Sequence, residues 1–206
     1  MVDLVPMVPM GHNGLRKIQD GQLLFGYEGV GEAHSFVSGG SVSARGVLYV
    51  HSAPAALCPH VEWAVAGVVG VPVKLDWSAQ PAAPGAHRAE LNWQGTPGTS
   101  GAIASALNGW QKLRYEVTEE ATPGCDGVRY SYTPALGIFT AVTSAAGEVM
   151  VSESRLRNAV ERAQAQEGID LTNELDRLTG RVWDEELEPF RYAGDGAPVR
   201  WLHAAG

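Results

Sequence analysis

The sequence predicts an α+β chain centred on a ferredoxin-like split βαβ plait, extended by further antiparallel strands and C-terminal helices. Three observations predict it. From Arg45 onward the apolar periods run strand, helix, strand, strand, helix, strand. The central strand-like runs alternate apolar and polar residues, the pattern of a sheet with one buried face. Three more strand-length runs and two capped helical patterns follow.

Residues 1–41 lack this order. Glycine is dense, apolar periodicity is poor, and Gln22 to Tyr27 is the only strand-like piece. Gly26, Gly29 and Gly31 echo a phosphate loop, but no strand leads in and no helix follows. The expectation is a flexible or non-native extension over 1–41, with Val42 as an alternative start codon. One α+β domain then spans 42–206, with the plait at 45–119 and the extension at 120–206.

Gly46 to Ser52 (GVLYVHS) is β-branched and aromatic, of strand length. A bend, SAPAAL, precedes a helix with Pro59 at its first position, where a missing N–H costs nothing. Val61, Ala64, Val65 and Val68 recur at helical spacing, and Gly70 with Pro72 ends the pattern. Val71 to Ser78 and Arg88 to Gln94 alternate as a strand pair. Trp93 and Leu91 face inward, and Arg88, Glu90 and Asn92 face water. Thr99 or Ser100 caps a second helix carrying Ile103, Leu107 and Trp110, and Lys112 to Thr118 alternates again.

Further strands are predicted at Val128 to Thr133, Gly137 to Thr143 and Glu148 to Val151. Helices are predicted from about Glu153 behind a Ser152 cap, and over Leu171 to Leu178 behind Asp170 or Thr172, ended by Gly180. Between Glu148 and Pro189, eleven acidic residues face five basic ones, which reads as solvated helix surface. Trp183 and Trp201 flank WDEELEPFRY, read as a docking tail or ligand contact, whereas Trp63, Trp77, Trp93 and Trp110 are assigned to the core.

Composition excludes some functions. The 206 residues carry a formal net charge of −8, against the basic stripe that nucleic acid requires. No apolar run approaches the ~20 residues of a membrane span, and MVDLVPMVPM lacks the basic n-region of an export signal. Two cysteines, Cys58 and Cys125, make no disulfide framework, so a reducing cytoplasm is expected.

The chemistry-bearing corner is HSAPAALCPHVE. Cys58 at a helix N-terminus feels the macrodipole, and His51 or His60 could serve as base for a nucleophilic or redox-sensing thiol. A buried structural cysteine is the competing reading. His51, Cys58 and His60, with Glu62 as a remote fourth, are weak metal candidates, because a two-residue spacing on a helix points side chains apart. The polar sheet face, with Lys74, Asp76, Arg88, Glu90, Asn92, Arg114 and Glu116, reads as solvent-exposed or as a polar partner surface.

The segments RGVLYVHSAP, ALCPHVEWAVAGV and LDWSAQPAAPG resemble an actinobacterial family of small cytoplasmic proteins catalogued only as a domain of unknown function. The resemblance runs from about Ser43 through the helix near Arg155, or on to the end of the sequence. It implies no catalytic residue, and residues 1–41 depart from its pattern. The function expected is therefore a non-enzymatic binding or regulatory module without a cofactor. Its partner would be a protein or small molecule, with a homodimer through a sheet face or edge among the expectations. The alternative is a thiol enzyme or redox sensor built on Cys58 with His51 or His60.

Overall fold

The computed structural model describes residues 18–19, 22–23, 42–166 and 168–192. The chain divides into two compact units, Met1–Gly39 and Gly40–Gly206. In the first, β1 (Ile18–Gln19) pairs antiparallel with β2 (Gln22–Leu23). The expected flexible or non-native character of 1–41 lies outside the described residues.

The second unit is mixed α+β. Its elements are β3 (Ala44–Pro54), α1 (Cys58–Val69), β4 (Ser78–Ala79), β5 (Ala86–Gly95), α2 (Thr99–Leu107) and β6 (Arg114–Glu119). Then come β7 (Gly127–Thr133), β8 (Gly137–Thr143), β9 (Val149–Met150), α3 (Glu153–Ala165), α4 (Leu171–Thr179) and α5 (Arg181–Arg191). Seven strands form one antiparallel sheet in the order β4-β5-β3-β6-β7-β8-β9.

Alternation along each strand decides which side chains go where. Leu48 and Val50 of β3, Leu91 and Trp93 of β5, Tyr115 and Val117 of β6, and Tyr132 of β7 share one face. They join Val61 and Val65 of α1 and Ile103 and Leu107 of α2 in the main core. Each such buried aliphatic side chain contributes roughly 1.5–3 kcal/mol of transfer free energy. Gly46 sits opposite Trp93 in the register, and a Cβ there would fall 2.6 Å from the indole Cζ2, so this position has no room for a side chain.

Of the expected N-caps only that of α4 forms: Gly98, not Thr99 or Ser100, is the N-cap of α2, and Ser152 makes no side-chain cap bond to α3. Asp170 accepts from the Thr172 amide at the start of α4, and Gly180, at φ +82, ends it in the left-handed region. A Cβ on Gly180 would also meet the Phe139 ring at 2.4 Å. For α2 the cap comes from another element: Glu119 of β6 accepts from the amides of Gly98 and Ser100 and from the Ser100 hydroxyl. A carboxylate there satisfies orphan N–H groups and opposes the positive end of the helix dipole.

The structure departs from the sequence reading in three further places. Val71 to Trp77 is not a strand. Its Leu75 amide, Trp77 indole N–H and Lys74 ammonium all donate to Glu62 of α1, which holds the segment against the helix and away from the sheet. Trp63, assigned to the core, is 79% exposed. Most consequentially, the WDEELEPFRY segment lies largely within α5, which covers the second sheet face over β3, β6 and β7. Glu116, read as facing solvent or a partner, is therefore buried.

Candidate functional site

The second sheet face brings His51 of β3, Glu116 of β6, and Arg129 and Ser131 of β7 beneath α5. Strand periodicity sets three of these positions: Glu116 pairs with Ser131 across the β6–β7 ladder, and Arg129 lies two residues from Ser131. A bulge between Val50 and Ser52 accompanies His51, whose ring stacks on Tyr49 with centroids 6.0 Å apart.

Both Glu116 oxygens are consumed. Oε2 accepts from His51 Nε2 at 2.6 Å and Arg191 Nε at 2.9 Å. Oε1 accepts from Arg191 Nη2 at 2.5 Å, Arg129 Nη2 at 2.8 Å and Ser131 Oγ at 3.3 Å. Arg191 thus grips the carboxylate in a two-pronged fork. Asp184 of α5 accepts from Arg191 Nη2 at 2.7 Å and also binds Arg129 Nη2. Two guanidiniums balance two carboxylates, so the cluster satisfies the rule that buried charges are paired.

Burial alone would push the Glu116 carboxyl up. The His51 hydrogen bond and the charges of Arg129, His51 and Arg191 outweigh it and hold the group well below its ordinary value. An ionised Glu116 can only accept, so His51 Nε2 carries the proton in their hydrogen bond. Losing the hydration of several ions costs several kcal/mol each, and that is offset only when each is well hydrogen bonded, as Glu116 is.

The cluster is braced at its margins. Gln80, immediately after β4, donates Nε2 to the carbonyls of His51 and of Phe190 in the last turn of α5. Thr133 donates to Glu186 at 2.7 Å, and the Arg114 guanidinium lies 4.5 Å from the Phe190 ring centroid. Trp183 packs on Phe139 and donates Nε1 to the Gly137 carbonyl.

Of the residues singled out in the sequence, Cys58 and His51 are not brought together. Cys58 belongs to the main core under α1 and α2, whereas His51 bonds Glu116 on the opposite sheet face. The Cys58 thiol donates to the Pro54 carbonyl at 3.6 Å, and burial, reinforced by the Glu62 carboxylate, raises it above its ordinary value. His60 is exposed in the first turn of α1. Glu62 is engaged by Leu75, Trp77 and Lys74, with the Leu75 amide the chief cause of its lowered carboxyl. Among the described residues no group of three or more His, Cys, Asp or Glu is arranged to hold a metal ion. Cys125 is exposed and unpaired with Cys58.

The sequence reading missed Arg129, Arg191, Asp184 and Gln80. A faint signal existed: Trp183, Leu187 and Arg191 recur at i, i+4 and i+8, one stripe of a helix.

A second feature is the outer edge of β5. Among the described residues β4 pairs only with His87 and Arg88, and no strand pairs with the outer side of β5 from Glu90 to Gln94. Glu120 N donates to Arg45 O, so Arg45 and Val47 turn their backbone groups toward β6, and Gly46, Leu48 and Val50 turn theirs toward β5. Their partners Trp93, Leu91 and Ala89 point inward. By alternation Glu90, Asn92 and Gln94 point their N–H and C=O outward. A cleft of about 520 Å³ touches this stretch of β5 and Val71–Lys74 and extends to Arg45–Val47 of β3 and to Glu120, with Val69, Val71, Pro72, Val73, Leu91 and Trp93 on its apolar side.

The family profile described as "Protein of unknown function (DUF3145)" matches residues 47–204. The chain belongs to that family. The DUF3145 match takes in the β3–β6 core, the buried cluster and α5 alike, together with residues beyond α5. No curated protein and no solved structure matches the chain. Among the described residues of this DUF3145 protein, no helix is long and apolar enough to cross a membrane.

Proposed function

We propose that this protein is a non-catalytic binding or regulatory module of the cytoplasm, built on a ferredoxin-like split βαβ plait, and that it binds through the open edge of β5. The order β4-β5-β3-β6, with α1 and α2 as the two crossovers on one face, supports the plait reading. In that reading the second plait strand is reduced to Ser78–Ala79 because Glu62 holds its upstream half against α1. Two free cysteines suit a reducing compartment, and the net charge of −8 disfavours nucleic acid.

The observation that carries the binding role is the β5 edge, where outward backbone groups stand beside a cleft with an apolar wall. Extended segments are recognised in this way, with main-chain bonds supplying affinity and pockets for alternate side chains supplying specificity. The buried cluster is assigned to structure, because every Glu116 oxygen is spent on holding α5.

Amide hydrogen exchange on the dilute full-length protein tests this. The amides of Glu90, Asn92 and Gln94 should exchange fast while those of Leu91 and Trp93, bonded to β3, stay protected. Uniform protection across 90–94 in dilute monomer would end the reading.

A further inference from the structure

We propose that the β5 edge pairs with the same edge of a second copy of this chain, antiparallel, about a two-fold axis through Asn92. This rests on the edge being the binding surface and names its partner.

Natural edge strands are guarded by lysine, proline, bulges or shortness. Residues 90–94, ELNWQ, contain none of the guarding residue types except the single charge of Glu90. The bulge of β3 against β5 lies between Val50 and Ala53, at the other end of the ladder. The open stretch of five residues is thus regular and carries a single charge, as a paired strand does.

Register selects the axis. With Asn92 on the two-fold, Asn92 meets Asn92 of the partner subunit and Glu90 meets the partner's Gln94. Each of these outward pairs can exchange two backbone hydrogen bonds. The two Glu90 carboxylates then sit about four residues apart, roughly 13 Å along the strands. An axis at Glu90 would set like charges directly opposite, which is destabilising. An axis at Gln94 would lose overlap, because β5 ends at Gly95. Asn92 gives the longest pairing in which no like charges face each other.

The inner face fits as well. The same axis sets Leu91 against the partner's Trp93 across the new seam, and both line the cleft. Val71, 58% exposed, lines the same cleft. The pairing is isologous, so it closes on itself as a dimer and propagates no further.

Sedimentation equilibrium of the full-length protein should show a concentration-dependent monomer–dimer equilibrium. Asn92→Pro removes the central N–H and puts a ring in the seam. Because that N–H points away from β3, the monomer should keep its thermal transition while dimerisation is abolished. Gln94→Glu places carboxylates opposite each other twice per dimer and should weaken association about tenfold. Adding Glu90→Lys to Gln94→Glu should restore parental affinity or better. These last positions are exposed, so they decide the matter even if the proline variant fails to fold.

A chain that stays monomeric with free exchange at 90, 92 and 94 overturns the dimer and leaves the open edge standing. Protection at those amides in dilute monomer, from the chain's own residues, overturns both. Dimerisation indifferent to Asn92→Pro and to the charge exchange overturns the proposal by placing the interface elsewhere. So does an edge protected only by an added extended peptide of another protein.

Discussion

His51 Nε2 lies 2.6 Å from Glu116 Oε2, with 5% and 1% of the two residues exposed, on neighbouring strands beneath the last described helix. The pair ties the strand that opens the sheet to the carboxylate on which α5 closes.

The first prediction follows from that carboxylate. Its folded pKa lies below the ordinary 4.5, so its contribution is complete above that value and is lost as the pH falls through the depressed one. Glu116→Gln should cost about 3–5 kcal/mol at neutral pH, since it leaves two buried guanidiniums with only the Asp184 carboxylate between them. It should also flatten the acid limb of the stability profile. Urea denaturation between pH 2 and 7 measures both, and parallel acid limbs would contradict the assignment.

Arg191 should not tolerate lysine. Its Nε and Nη2 engage separate oxygens of Glu116, and a single ammonium cannot reproduce a fork. Arg191→Lys should cost about 2 kcal/mol despite retaining the charge. Exchange should quicken in α5 before it does in α1. Equal protection of the two helices would show that the fork is not what holds α5.

Cys58 should alkylate slowly. Burial lifts its thiol above the ordinary 9.0, so the rate should keep rising into the alkaline range with no inflection near neutrality. In a Cys125→Ser background, His51→Ala should leave the position of that rise unchanged, because the imidazole is on the other sheet face. An inflection below about pH 7 that vanishes with His51 or His60 would revive thiol chemistry.

Trp93→Ala should cost about 3–5 kcal/mol, since the ring is 3% exposed and packs within the main core. Gly46→Ala should cost about 1–3 kcal/mol by driving a methyl into that ring and into the Thr118 carbonyl. Chemical denaturation of the two single variants gives both figures. A neutral Gly46→Ala would mean that β3 and β5 approach less closely than described.

Much of the fold was legible because its signals are local. Val128 to Thr133 and Gly137 to Thr143 announce themselves by β-branched and aromatic runs, and Asp170 and Gly180 mark the ends of α4 within a few residues of each other. What was illegible is tertiary. Val71 to Trp77 alternates like a strand, yet one carboxylate thirteen residues before Leu75 captures its amide. Glu116 looks wet because its alternation is that of a solvent face, and only the helix 75 residues later makes that face an interior. The site-facing stripe of α5 carries Asp184 and Arg191, charges that match charges, so the apolar signal of a buried helix is largely missing.

The closure by α5 also has a bearing on biosynthesis. A polypeptide made from its N-terminus exposes His51, Glu116 and Arg129 long before Asp184 and Arg191 have been translated. All seven strands of the main sheet precede α5, so the sheet is synthesised in full before its second face has a lid. A premature stop anywhere before Arg181 would leave Glu116 with Arg129 as its sole guanidinium and Phe139 uncovered by Trp183. Such a product presents a half-dismantled ion cluster and the bare aromatic surface that proteolytic quality control removes. Translation through α5 thereby becomes the condition for a closed second sheet face.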